Sequence, residues 1–232
     1  MKIHTTFLAT ALLLAAGASL QAAQDTKAKQ EKPAKTDEVV IAEQAPSYPL
    51  DTCVVSGKKM EKVVETVIDG HLVRTCCDMC PEKVKAEPAK FIAKIEAAVV
   101  AAQKPSYPLE TCPISSEKLG EMGEPLDQVH GTRLVRLCCK SCLKGLQKDP
   151  AAALAKVDAA LIEAQKKTYA LDTCPVSGEK LGEMGEPLDV LYGVQLVRLC
   201  CKGCMKDYKA DPAAVAAKVK EASAKKGEEK KG

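Results

Sequence analysis

Residues 174–204 read CPVSGEKLGEMGEPLDVLYGVQLVRLCCKGC, and residues 112–142 read CPISSEKLGEMGEPLDQVHGTRLVRLCCKSC. A third version, CVVSGKKMEKVVETVIDGHLVRTCCDMC, occupies residues 53–80 and is three residues shorter between its first two cysteines. Each copy opens with one Cys (Cys53, Cys112, Cys174), followed three residues on by Ser56, Ser115 or Ser177 and six on by Lys59, Lys118 or Lys180. A Leu-Val-Arg triplet then leads into a Cys-Cys-x-x-Cys cluster: Cys76, Cys77 and Cys80; Cys138, Cys139 and Cys142; Cys200, Cys201 and Cys204. All twelve cysteines fall in this pattern. A threefold repeat implies three copies of one supersecondary unit, so it governs the architecture.

Working outward, the units open at Tyr48, Tyr107 and Tyr169 and define modules at 47–104, 105–167 and 168–221. After the first Cys comes a tight turn, then two strand-like runs separated by Asp69-Gly70, His130-Gly131 or Tyr192-Gly193, a hairpin signature. A short helix is expected after the cluster, with Val84, Leu146 and Tyr208 four residues past the last Cys on one face. Glu87-Pro88, Asp149-Pro150 and Asp211-Pro212 each mark the start of a second helix, an acidic cap before Pro at the first helical position. That helix is expected to bury Ile92, Ile95 and Val99 in module 1, Leu154, Val157 and Leu161 in module 2, and only Val215 and Val219 in module 3. The expected fold class is α+β, three tandem small modules.

The chain has 232 residues, no Trp, two Phe and five Tyr. Aromatic side chains bury roughly 150–250 Å² each, so a chain this poor in them needs another source of stability, and cysteine chemistry is the one available. A net charge of +3 is too small to imply a nucleic-acid partner, and there is no basic stripe interleaved with aromatics on which bases could stack, so none is expected. Residues 1–23, MKIHTTFLATALLLAAGASLQAA, read as a secretory signal peptide cleaved near Ala22 or Ala23, its apolar run being short of a bilayer span. The mature chain is therefore expected in the periplasm or outside the cell, with no membrane association after cleavage. Residues 24–46 read as a flexible charged linker, and 222–232 as a solvated charged tail.

Four cysteines per module form a soft donor set suited to Zn²⁺, Cu(I) or a thiophilic heavy metal, about one ion per module. Cys76 and Cys80 share a face if a helix begins there, and a helix start favours thiolate over thiol. Folding the hairpin over returns Cys53, Cys112 or Cys174 to that helix start.

C-x-[VI]-S, a hairpin, then C-x3-C opening a helix with an acidic-Pro pair downstream resembles the TRASH and YHS metal-binding modules and the related zinc finger of a large-subunit ribosomal protein. The resemblance spans about 45 residues of each unit and implies a treble-clef-like fold with a role in heavy-metal sensing, trafficking or resistance. It maps the first ligand to Cys53, Cys112 and Cys174, and the C-x3-C pair to Cys76 with Cys80, Cys138 with Cys142, and Cys200 with Cys204. The ribosomal finger's second ligand is here Ser56, Ser115 or Ser177. Either Cys77, Cys139 and Cys201 then supply a fourth sulfur, or each site has three thiolates and an open position.

These residues suggest a non-enzymatic exported protein that buffers, delivers or sequesters a soft metal, with metal ions and another metal-trafficking protein as partners. The competing readings are an interaction protein stapled by disulfides or structural zinc, and a thiol oxidoreductase using the C-x-x-C motifs, which here lack the usual βαβ context. His71 and His130 do not recur in register and read as turn residues. Met122 and Met184 recur only in modules 2 and 3 and read as packing or turn residues. Arg74, Arg136 and Arg198 recur in all three, either offsetting thiolate charge or as exposed strand residues.

Overall fold

A computed structural model describes residues 35–229. The expected signal peptide and residues 24–34 of the linker lie outside the described residues. Each module contains a knuckle, a two-stranded antiparallel hairpin, a short helix and a long helix, so the chain is α+β. The hairpins are β1 (Val64–Ile68) with β2 (His71–Thr75), β3 (Leu126–His130) with β4 (Arg133–Leu137), and β5 (Leu188–Tyr192) with β6 (Gln195–Leu199). The helices are α1 (Asp37–Gln44), α2 (Cys80–Ala86), α3 (Pro88–Gln103), α4 (Cys142–Lys148), α5 (Pro150–Lys166), α6 (Lys202–Ala210) and α7 (Pro212–Glu229).

The knuckle is closed by backbone. In module 2 the Cys112 amide donates to the Glu117 carbonyl and the Ser116 amide to the Cys112 carbonyl; modules 1 and 3 repeat both bonds. An isolated bridge, Thr52 with Lys59 and its counterparts, ends the turn. The Asp149 and Asp211 side chains cap α5 and α7 by accepting from Ala152 and Ala214 amides, whereas Glu87 makes no such bond to α3. One more methylene takes the Glu87 carboxylate past the geometry that the Asp caps achieve.

Five expectations change. Residues 37–44 of the presumed linker form α1, with Val40 and Gln44 buried, and Ala45–Ser47 form a 3₁₀ turn. The presumed tail is helical through Glu229. The first buried position of the long helix differs in two modules while the rest stand as expected: Phe91 rather than Ile92 joins Ile95 and Val99, and Ala153 rather than Leu154 joins Val157 and Leu161. The hairpin turns differ in register: Asp69-Gly70 forms the first, but Gly131-Thr132 and Gly193-Val194 form the others, leaving His130 and Tyr192 as strand residues. Finally, Cys76 and Cys138 precede their helices rather than sharing a helical face with Cys80 and Cys142.

The hairpins pack on both faces. Along β2, β4 and β6, two consecutive residues are buried, Leu72-Val73, Leu134-Val135 and Leu196-Val197. Alternation sends neighbours to opposite faces, so both faces must be covered. Val73, Val135 and Val197 enter their own module's core, beside Phe91 and Ile95, Ala153, and Val215 and Val219 respectively. The opposite face is covered by the helix before the module: α1 on β1 and β2, α3 on β3 and β4, α5 on β5 and β6. Helices and hairpins therefore alternate, and α1 is the first covering helix.

Candidate metal centre

The knuckle, the end of the hairpin and the start of the short helix deliver one sulfur each to a common point. The Sγ atoms of Cys53, Cys76 and Cys80 all lie within 4.8 Å of one another, as do those of Cys112, Cys138 and Cys142, and of Cys174, Cys200 and Cys204. Cys138 and Cys142 are 3.7 Å apart and Cys200 and Cys204 3.6 Å. Two thiolates sharing a tetrahedral ion at about 2.3 Å stand about 3.8 Å apart, so one soft ion fits each triangle. Eight of these nine cysteines are buried, and Cys76 is half-buried.

A hydroxyl closes the next corner. Ser56 Oγ lies 3.5 Å from Cys76 Sγ, Ser115 Oγ 3.2 Å from Cys138 Sγ and Ser177 Oγ 3.3 Å from Cys200 Sγ. The same hydroxyls face Cys53, Cys112 and Cys174. Sequence reasoning noted these serines in place of a fourth ligand; the structure brings each hydroxyl within hydrogen-bond reach of a sulfur of its triangle.

The sulfurs are electrostatically unequal. Burial works against a thiolate at Cys53, yet the Ser56 hydroxyl and the Ser56, Cys76 and Val55 amides outweigh it and bring the thiol down to about 6. Burial is likewise overcome at Cys112 and Cys174 by the equivalent donors, led by the Ser115 and Ser177 amides, and both fall to about 6. At the helix starts the sign reverses. The adjacent Cys77 sulfur and burial push Cys80 up to about 12, while burial and neighbouring sulfurs push Cys142 and Cys204 up to about 12. Each triangle thus carries a preorganised thiolate beside a reluctant thiol, which a bound cation would deprotonate.

Cys77, Cys139 and Cys201 sit at the rim. Their sulfurs lie 3.3 Å from Cys80, 3.8 Å from Cys142 and 3.9 Å from Cys204, and the mutual grouping within 4.8 Å holds the other three sulfurs. All three are half-buried. Cys77 is lowered first by Cys80 and then by the Met79 amide, Cys139 to about 7 by the Ser141 hydroxyl and the Cys142 amide, and Cys201 by the Cys204 and Gly203 amides.

The recurring arginines are committed elsewhere. Arg74, Arg136 and Arg198 pair across the hairpin with Glu65, Asp127 and Asp189 and lie over the rings of Tyr48, Tyr107 and Tyr169. Each tyrosine hydroxyl in turn accepts from the arginine's backbone amide. Lys156 and Lys218 on the long helices donate to the Pro113 and Pro175 carbonyls, one residue past the first Cys, and tie each knuckle to its helix. His71 begins β2 and His130 ends β3, outside the sulfur triangles. Met122 and Met184 are 63% and 62% exposed, so neither packs a core.

Comparison with protein-family models, curated proteins and solved structures found no match to the chain.

Proposed function

We propose that this is an exported, non-enzymatic protein that buffers, delivers or sequesters a soft metal ion, one ion in each of three treble-clef-like modules. The observation that carries this reading is the threefold recurrence of a compact sulfur triangle, each with a serine hydroxyl at its edge. Three thiolates suit Zn²⁺ with an oxygen completing the tetrahedron, and suit Cu(I) without it. Soft sulfur donors disfavour Mg²⁺ and Ca²⁺, which take oxygen. The N-terminal sequence supports export, and among the described residues no helix is long and apolar enough to cross a membrane.

Reduced chain titrated anaerobically with Zn²⁺ or Cu(I) should saturate near three equivalents, and protein purified from its native compartment should carry metal by elemental analysis. Negligible binding, with the cysteines oxidised in native material, would overturn the metal reading. A second reading, a purely structural ion, is favoured by one observation: Cys112, Cys138 and Cys142 belong to the module's apolar cluster with Val135 and Leu146. The two separate on exchange, since a handling site gives up its ion to a competing chelator while the chain stays folded and a structural site does not.

A further inference from the structure

We propose that Cys77, Cys139 and Cys201 are exchange ligands, through which each ion passes between its buried triangle and a thiol-bearing acceptor. The inference rests on the metal-handling reading above and deepens it by naming the exit and the partner's chemistry.

In modules 2 and 3 the triangle is closed to direct attack, whereas in module 1 Cys76 is half-buried. Cys112, Cys138 and Cys142 are 1%, 2% and 6% exposed, and Cys174, Cys200 and Cys204 are equally covered. An acceptor cannot reach these sulfurs without opening the module. The outer cysteine is more exposed than the triangle in modules 2 and 3. It is half-buried, and the two residues between it and the helix-start ligand are exposed in every module: Asp78 and Met79, Lys140 and Ser141, Lys202 and Gly203. In module 2 its sulfur stands 3.8 Å from both Cys138 and Cys142, the separation of two thiolates sharing one ion. It can therefore join the ion over that edge without backbone movement, whereas Cys112 lies at the opposite corner of the triangle.

Exchange then proceeds one sulfur at a time. The outer sulfur binds the ion as a thiolate, its proton passing to solvent, and the knuckle cysteine leaves as a thiolate that the serine hydroxyl and backbone amides already hold. The acceptor thiol next binds from solvent, and its proton passes to the next departing cysteine. One metal–sulfur bond forms for each that breaks, the ion keeps its charge, and no electrons move. The acceptor is a molecule presenting two thiols, because a single thiol cannot replace the last protein ligands at comparable affinity.

The test uses full-length reduced protein loaded with Zn²⁺ and mixed with excess dithiothreitol as the dithiol acceptor, with a chromogenic chelator reporting transferred ion. In the variant C77S/C139S/C201S, three ions should still bind with affinity little changed, while dithiol-driven release should slow by about tenfold or more and loading should slow in step, because a route is lost and the equilibrium is not. Cys139→Ser alone should make release biphasic, with the ion of one module slow. Release at the wild-type rate from the fully loaded triple variant would overturn the proposal. So would loss of affinity by about tenfold, which would make these cysteines permanent ligands. Failure of the wild-type chain to bind Zn²⁺ would instead sink the metal reading itself, and the exchange proposal with it.

Discussion

The side chain of Gln103, at the last position of α3, accepts a hydrogen bond from the Leu134 amide at 2.9 Å in the following module's hairpin. Its Nε2 also donates to the Thr132 carbonyl, so one primary amide satisfies both backbone groups at the mouth of that hairpin. Gln44 does the same for Leu72 and Gly70, and Gln165 for Leu196 and Val194. These three glutamines each stand four residues before the tyrosine that opens a module. The corresponding position of α7 is Gly227, so the device ends where the repeat ends.

Replacing Gln103 by Ala should therefore destabilise module 2 by about 1–3 kcal/mol, the cost of leaving buried backbone groups unpaired. Leu134 is 1% exposed, so water cannot readily substitute. Denaturant unfolding of the metal-free chain, followed by amide exchange at Leu134, checks this. A wild-type midpoint with Leu134 still protected would show that the clamp contributes nothing.

The third hairpin meets the 3₁₀ turn Ala45–Ser47 at Gly193. A Cβ built there would stand 2.7 Å from the Pro46 carbonyl oxygen, and φ is +63°. Gly70, at the first hairpin, has φ +75° with nothing within 4 Å of such a Cβ. Gly70→Ala should cost only the left-handed backbone penalty, roughly 1–2 kcal/mol. Gly193→Ala should cost more, because backbone must separate from backbone. Equal melting-temperature losses in the two variants would show that the approach to Pro46 carries no energy.

Local signals in the sequence were sufficient for the presence of the three hairpins, the helices after each Cys cluster and the sulfur triangles, because x-Gly pairs, acidic-Pro helix starts and Cys spacing act over a few residues. Contacts made by covering helices were not legible. Glu38, Val39 and Val40 sit in a polar stretch that cannot hold a helix alone, and α1 forms because a hairpin supplies its other half. The consecutive burial of Leu72 and Val73 carried that message, since a strand with one solvated face would alternate. The fourth corner was legible as a position, Ser56 and its counterparts, but which of hydroxyl and outer sulfur faces the ion depends on how the knuckle folds onto the hairpin.

Metal binding should release protons. Cys80, Cys142 and Cys204 are held near 12 and are protonated at neutral pH, so each must lose a proton to bind. Cys53, Cys112 and Cys174, near 6, are already thiolates there and contribute little at pH 7. Apparent affinity should rise with pH through the neutral range, with at least one proton released per ion. Calorimetry in buffers of different ionisation enthalpy measures that number, and a value of zero would contradict the thiol assignment.

Acid should weaken module 2 through Asp127. Burial opposes its charge, but Lys104 and Arg136 outweigh burial and hold the carboxyl below its ordinary 3.8. A carboxyl lowered on folding adds stability above its unfolded value and loses it as pH falls through the folded one. Asp127→Asn should thus reduce stability at pH 7 and flatten its decline below about pH 4. Parallel acid limbs in wild type and variant would remove Asp127 from the account.

The serine corner gives the sharpest coordination test. Ser177 Oγ lies 3.3 Å from Cys200 Sγ and faces Cys174 and Cys204 as well. Ser177→Cys should therefore place a fourth sulfur at the triangle. Zinc prefers a closed tetrahedron of sulfur, whereas Cu(I) accepts fewer thiolates, so zinc affinity should rise more than copper affinity. Closing the corner also removes a vacant direction, and dithiol-driven release of Zn²⁺ from that module should slow. Cys201→Ser is the companion variant, because the rim cysteine is the other candidate for the fourth place. If Ser177→Cys leaves zinc affinity unchanged while Cys201→Ser weakens it about tenfold, roughly 1.4 kcal/mol, the rim sulfur is the resident fourth ligand. In that case the serine is only a hydrogen-bond donor to thiolates.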